Sequence, residues 1–115
     1  MGMNQRDALG AVDARRKEAG GSYLEFLRRN SMSMGLYVLQ PGEDDRQQPH
    51  GEDEAYYVVS GRGRFRAGDE DGEVRAGDVL FVEKGVEHRF HSIAEELTLL
   101  VFFAPAEGSG NGSAA

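Results

Sequence analysis

The sequence predicts an all-β domain, and two observations carry that expectation. The 115 residues contain 16 glycines against 3 prolines, the composition of many turns between short strands. From Ser22 onward the apolar residues alternate or run together over strand-length stretches, a periodicity that suits sheets and not helices. Cysteine is absent, so disulfides, zinc-thiolate sites and thiol nucleophiles are excluded and stability must come from packing. A chain of this length buries enough apolar surface to fold as one unit.

Residues 1–21 form an N-terminal segment in which 5–18 reads as a short helix. Leu9, Val12 and Ala19 lie loosely along one side, and Gly20 and Gly21 stop it. The β domain is expected over 22–105. Tyr23 to Arg29 and Met32 to Gln40 are its first strands, turning at Arg29-Asn30-Ser31. A loop from Pro41 to Gln47 follows, too acidic and amide-rich to enter the core.

Ala55 to Ser60 and Arg62 to Ala67 read as two strands joined tightly at Gly61, with Arg62, Arg64 and Arg66 on one solvated face by parity. GDEDGE at 68–73 reads as a hairpin turn; it lacks the terminal bidentate glutamate of a calcium loop. Asp78 to Val82, Glu87 to Ile93 and Leu97 to Ala104 complete about eight short strands, the number of a double-sheet jelly roll. The last is apolar on both faces and needs two covers, the second being the N-terminal segment or, more simply, another subunit in a homodimer. The Gly/Ser-rich tail over 106–115 is expected to be disordered.

A net charge of -7 argues against nucleic acid and anionic membrane as partners, because phosphates are held chiefly by Lys and Arg. The N-terminus lacks an apolar stretch of signal-peptide length, and no window approaches a membrane span. A cytoplasmic protein is expected.

His50, Glu54 and His88 are the candidate site. Two imidazoles and a carboxylate can hold a divalent transition metal with positions left open for water or substrate. The even offsets put Gln48, His50 and Glu54 on one face of an entering strand. His88 approaches from another strand, with Phe90 on its face and Arg89 and His91 pointing away. Alone, each has an ordinary explanation as a loop histidine, a surface acid or a hydrogen-bonded strand residue. Together, at spacings punctuated by Gly42, Gly61, Gly77 and Gly85, they suit a shared site, because a buried carboxylate and imidazole are costly unless something pairs with them.

With these residues in place the sequence resembles the cupin superfamily. Gly42, His50, Glu54 and Gly61 match its first motif, and Gly77, Gly85 and His88 match its second, over about residues 32–104. The resemblance implies a double-stranded β-helix, a jelly-roll barrel with one metal inside its mouth. Three positions depart from the pattern: Gln48 stands where the family has the first histidine of its pair, Glu83 replaces a proline, and Ser92 an asparagine. Gln48 matters most, because an amide oxygen is a weaker donor than imidazole; it is expected to act as a weak fourth ligand or through a bound water.

The resemblance implies an Fe, Mn, Ni or Zn ion on His50, Glu54 and His88, and a dioxygenase- or isomerase-like enzyme for a small organic acid, phenol or enol. Glu54 would alternate between ligand and proton acceptor. Tyr56 and Phe90 would line the pocket. The alternatives are a non-catalytic small-molecule-binding module and a metal-free barrel that keeps only the fold.

Overall fold

The computed structural model describes residues 4–45 and 49–109. Gln48, together with the end of the 41–47 loop and residues 110–115 of the tail, lies outside the described residues. Helix α1 (Leu9–Ala19) precedes six strands: β1 (Tyr23–Arg28), β2 (Ser33–Leu39), β3 (Asp53–Ala67), β4 (Glu70–Arg75), β5 (Val79–Val82) and β6 (His88–Ala104). All pairings are antiparallel, in the order β1-β2-β6-β3-β4, with β5 also paired to β3. No helix among the described residues is long and apolar enough to cross a membrane.

Expected strands merge in two places. Ala55 to Ser60 and Arg62 to Ala67 are one strand, β3, and the strands expected over 87–93 and 97–104 are β6. The β3–β6 register slips between Val58 and Arg64, and these bulges bend the paired ribbon instead of ending it. Gly61, with φ of 94°, takes a conformation that other residues adopt only at a cost. A Cβ there would collide with the Glu96 carbonyl and the Leu97 Cα, so glycine also permits the close approach of the two strands. The run at 68–73 is likewise only partly a turn: Gly68 and Asp69 reverse the chain, and Glu70 already pairs with Ala67 at the start of β4.

Alternation sorts the side chains. Tyr56 and Val58 of β3 and Leu97, Leu99, Val101 and Phe103 of β6 point inward and are buried with Leu39, Phe65, Val74, Val82, Phe90 and Ile93. On the outer face, Val12 of α1 packs with Leu36 and Val38 of β2, with Leu9, Leu24, Phe26 and Leu100 around them. The N-terminal helix therefore supplies part of the second cover that β6 needs. Its C-terminus is closed by Gly20, φ 86°, whose N–H donates to the Arg16 and Lys17 carbonyls.

The outer arginines lie where parity placed them. Arg62 pairs with Glu95 at 3.4 Å and Arg64 with Asp71 at 3.2 Å; at such exposure these contribute little to stability. The beginning of the tail is not loose. Ala106 is buried, its N–H donates to the Asn30 carbonyl, and the Glu107 N–H donates to Ser33 Oγ.

Candidate metal site in the barrel interior

Glu54 and His88 come from opposite ends of the β3–β6 ribbon: Glu54 pairs with Phe103 near one end, and His88 with Ala67 at the other. The bend centred on Gly61 turns these ends toward each other. Tyr56 packs edge-on to Phe65 at 5.7 Å and to Phe90 at 4.9 Å between ring centroids, joining the two halves across the interior. His50 arrives in the segment before β3. Its carbonyl accepts the Gly85 N–H at 2.8 Å, and Asp53 Oδ1 accepts the Lys84 N–H at 3.0 Å. These bonds stitch the turn that carries the second motif onto the segment that carries the first.

One ligand atom from each of His50, Glu54 and His88 falls within 4.8 Å of the others. His88 Nε2 is 2.9 Å and His50 Nε2 3.9 Å from Glu54 Oε1. The His88 and Glu54 side chains are 2% and 1% exposed, and that of His50 12%, so water cannot readily satisfy them. Neither histidine Nε2 and neither Glu54 oxygen has an aligned hydrogen-bond partner among the described residues.

The tautomer of His88 sharpens the point. Its Nδ1 lies 2.8 Å from the Val86 carbonyl, which can only accept, so Nδ1 carries a proton. In the neutral ring Nε2 is then a lone pair facing the lone pairs of Glu54, a repulsion that a positive charge between them would relieve. Outer hydrogen bonds of this kind orient histidine ligands in metal sites. Without a metal, the same geometry favours a second proton on the ring. Burial by itself pulls the His88 imidazole down, but the Glu54 carboxylate, the Val86 carbonyl and Asp45 together carry it above the ordinary histidine value.

Aromatic carbon surrounds the cluster. His50 packs edge-on to Phe103 at 4.8 Å, and Phe65 and Tyr56 lie 6.1 Å and 6.2 Å from the His88 ring. Tyr56 and Phe90, expected to line a pocket, are fully buried in the core on the cluster's inner side. His91 points outward, its Nε2 3.0 Å from Asp71.

Two buried acids and one half-buried phenol escape a reading of the sequence. Asp45, assigned to a loop that cannot enter the core, is 3% exposed. Its Oδ1 accepts the Tyr37 hydroxyl at 2.6 Å and its Oδ2 the Phe90 N–H at 2.8 Å, fastening the loop before His50 to the strand of His88. Burial and this hydrogen bond hold the Tyr37 phenol far above its ordinary range. Glu52, which reads as one of a run of surface acids, is also buried. Tyr23 lies against the core; the only signal for it in the sequence is that it starts an apolar strand. Asp45→Ala leaves a buried N–H and a phenol without their acceptor, and the expected loss is about 2–4 kcal/mol in urea unfolding.

Comparison with known proteins agrees with this architecture. Residues 35–104 match the family model described as a cupin domain. An uncharacterized protein of Streptomyces coelicolor is 48% identical over 99 residues, covering 86% of this chain and 94% of the relative. The crystal structure of TT1209 from Thermus thermophilus superposes with a TM-score of 0.75 at 27% identity, over 90% of this chain and 99% of that one. An uncharacterized protein of Klebsiella pneumoniae with a double-stranded β-helix domain gives a TM-score of 0.72 at 20% identity, over 97% and 95% of the two chains. With the family model spanning residues 35–104, the strand order above and a bent ribbon that folds its own ends together, this chain belongs to the cupin family.

Proposed function

We propose that this cupin binds one divalent transition metal through His50, Glu54 and His88 and acts on a small organic molecule. The observation that supports it is the convergence within 4.8 Å of buried imidazole and carboxylate atoms that have no aligned hydrogen-bond partner among the described residues. Leaving such atoms unmet is expensive, and a cation of Fe, Mn, Ni or Zn type suits mixed imidazole and carboxylate donors. Bound there, the ion would supply Lewis acidity toward a carbonyl or hydroxyl oxygen or a site for dioxygen. Glu54, whose second oxygen also has no aligned hydrogen-bond partner among the described residues, is the residue to take a proton from the substrate. Gln48, by its position in the motif, is proposed as the weak or water-mediated fourth ligand. Tyr56 and Phe90 support the site from below.

Elemental analysis of untagged protein, prepared without chelator, tests this reading. Close to one transition-metal ion per chain is expected; less than about 0.1, persisting after reconstitution with each candidate ion, contradicts it.

A non-catalytic small-molecule-binding role is the second reading. The aromatic carbon of Phe65 and Phe103 beside the imidazoles favours it, because an apolar wall suits the retention of a small organic ligand. Oxygen uptake and product formation with a panel of chelating enols and phenols separate the two.

A second copy of the chain is the proposed macromolecular partner. Tyr57, Val79 and Phe81 are 40%, 72% and 65% exposed. The β3–β5 register sets Tyr57 beside Val79 and Ala55 beside Phe81 on the outer face, an apolar surface of the kind that marks an interface. Sedimentation velocity is expected to show a dimer for the wild type and a monomer for Phe81→Asp; a monomeric wild type contradicts it.

A further inference from the structure

Tyr23 starts β1 opposite Tyr37 of β2, and their rings meet edge-on at 5.9 Å. From that position the Tyr23 ring reaches along the inner face of β2 until its hydroxyl stands over Gly35. A Cβ at Gly35 would collide with the hydroxyl and the ring, so glycine makes room for both. Register then locates the phenol. Gly35 pairs with Val101, and Val101 with Tyr56; the next inward-facing rung is Ser33, Phe103 and Glu54. The Tyr23 hydroxyl therefore lies one inward position from the rung that carries Glu54 and the Phe103 ring against His50.

The hydroxyl oxygen is out of contact with solvent and has no hydrogen-bond partner among the described residues. A buried hydroxyl without a partner is costly, and a barrel that clears space for it at Gly35 has a use for it. The charges around it decide what that use is. Burial first, and then the carboxylates of Glu107, Glu25 and Glu54, hold the phenol far above its ordinary value, with Arg28 opposing weakly. It is thus a neutral O–H whose proton remains to be given.

We infer that Tyr23 is a ligand-binding residue, donating a hydrogen bond to an oxygen of a small chelating ligand (an enol, hydroxyketone or hydroxamate) held at the His50–Glu54–His88 centre. The inference rests on the metal reading above and specifies how its ligand is recognised. Tyr23→Phe tests it, since it removes one oxygen and keeps the ring.

The probe is acetohydroxamic acid, titrated into Co(II)-loaded protein and followed in the visible cobalt bands. Wild type is expected to bind it about 3- to 10-fold more tightly than Tyr23→Phe, the range of one neutral hydrogen bond. Arg66→Ala, altered on the solvated outer face, is expected to match wild type. Metal-free Tyr23→Phe is expected to melt at or above the wild-type temperature, because the hydroxyl it lacks has no hydrogen-bond partner among the described residues. Equal affinity in wild type and Tyr23→Phe overturns the inference, as does wild-type cobalt protein that ignores the probe. A lowered melting temperature with reduced cobalt uptake assigns the hydroxyl a structural role and also overturns it. Failure of wild type to take up cobalt is a different result, one that overturns the metal reading itself.

Discussion

His88→Ala is expected to bind Ni(II) or Zn(II) at least about 100-fold more weakly than wild type in calorimetric titration. Loss of outer hydrogen-bond partners alone costs metal sites about 10- to 100-fold, and His88 is proposed as a ligand itself. The variant keeps a folded barrel, because the ring contributes to the core mainly through its Phe65 and Tyr56 neighbours. Metal-free stability still falls, by about 1–3 kcal/mol, since Glu54 loses the group at 2.9 Å and stays buried. Undiminished metal affinity in His88→Ala would remove this residue from the centre.

Gly61→Ala is expected to be the most destabilising single-methyl change in the chain, by about 3 kcal/mol or more in urea unfolding. A left-handed backbone costs other residues about 1–2 kcal/mol. Here the added methyl also meets the Glu96 carbonyl and the Leu97 Cα, backbone atoms that cannot swing aside, so strands must shift. Gly72→Ala is the control: a Cβ there meets nothing within 4 Å, and the expected change is within about 0.5 kcal/mol. The bend at Gly61 also brings the ends of the ribbon together. Gly61→Ala should therefore weaken metal binding although residue 61 lies outside the ligand set, and a variant with wild-type stability and affinity would refute this role.

The glycines explain why so much of the architecture could be read from the residues. Gly42, Gly61, Gly77 and Gly85, singled out by spacing, all have positive φ, between 80° and 96°, and they set where the chain turns or bends. Inward alternation placed Glu54 and His88 on the interior and turned His91 outward to Asp71. The continuity of β3 and β6 was not legible, because a glycine that bends a paired strand and one that ends it look alike in sequence. Nor was the burial of Asp45, whose acceptors are used by Tyr37 and by the Phe90 backbone. A carboxylate can enter the core when distant donors meet it, and local composition carries no trace of such donors. Tyr23 escaped notice for a related reason: its significance comes from an absent side chain at Gly35 on the neighbouring strand.

The central claim is that one metal ion lies between His50, Glu54 and His88, and anomalous diffraction tests it most directly. Crystals grown with Ni(II) or Zn(II), with data collected on both sides of that metal's absorption edge, should show a single strong peak per chain within bonding distance of His50 Nε2, His88 Nε2 and a Glu54 oxygen. No peak there, or a peak only at surface carboxylates, would contradict it.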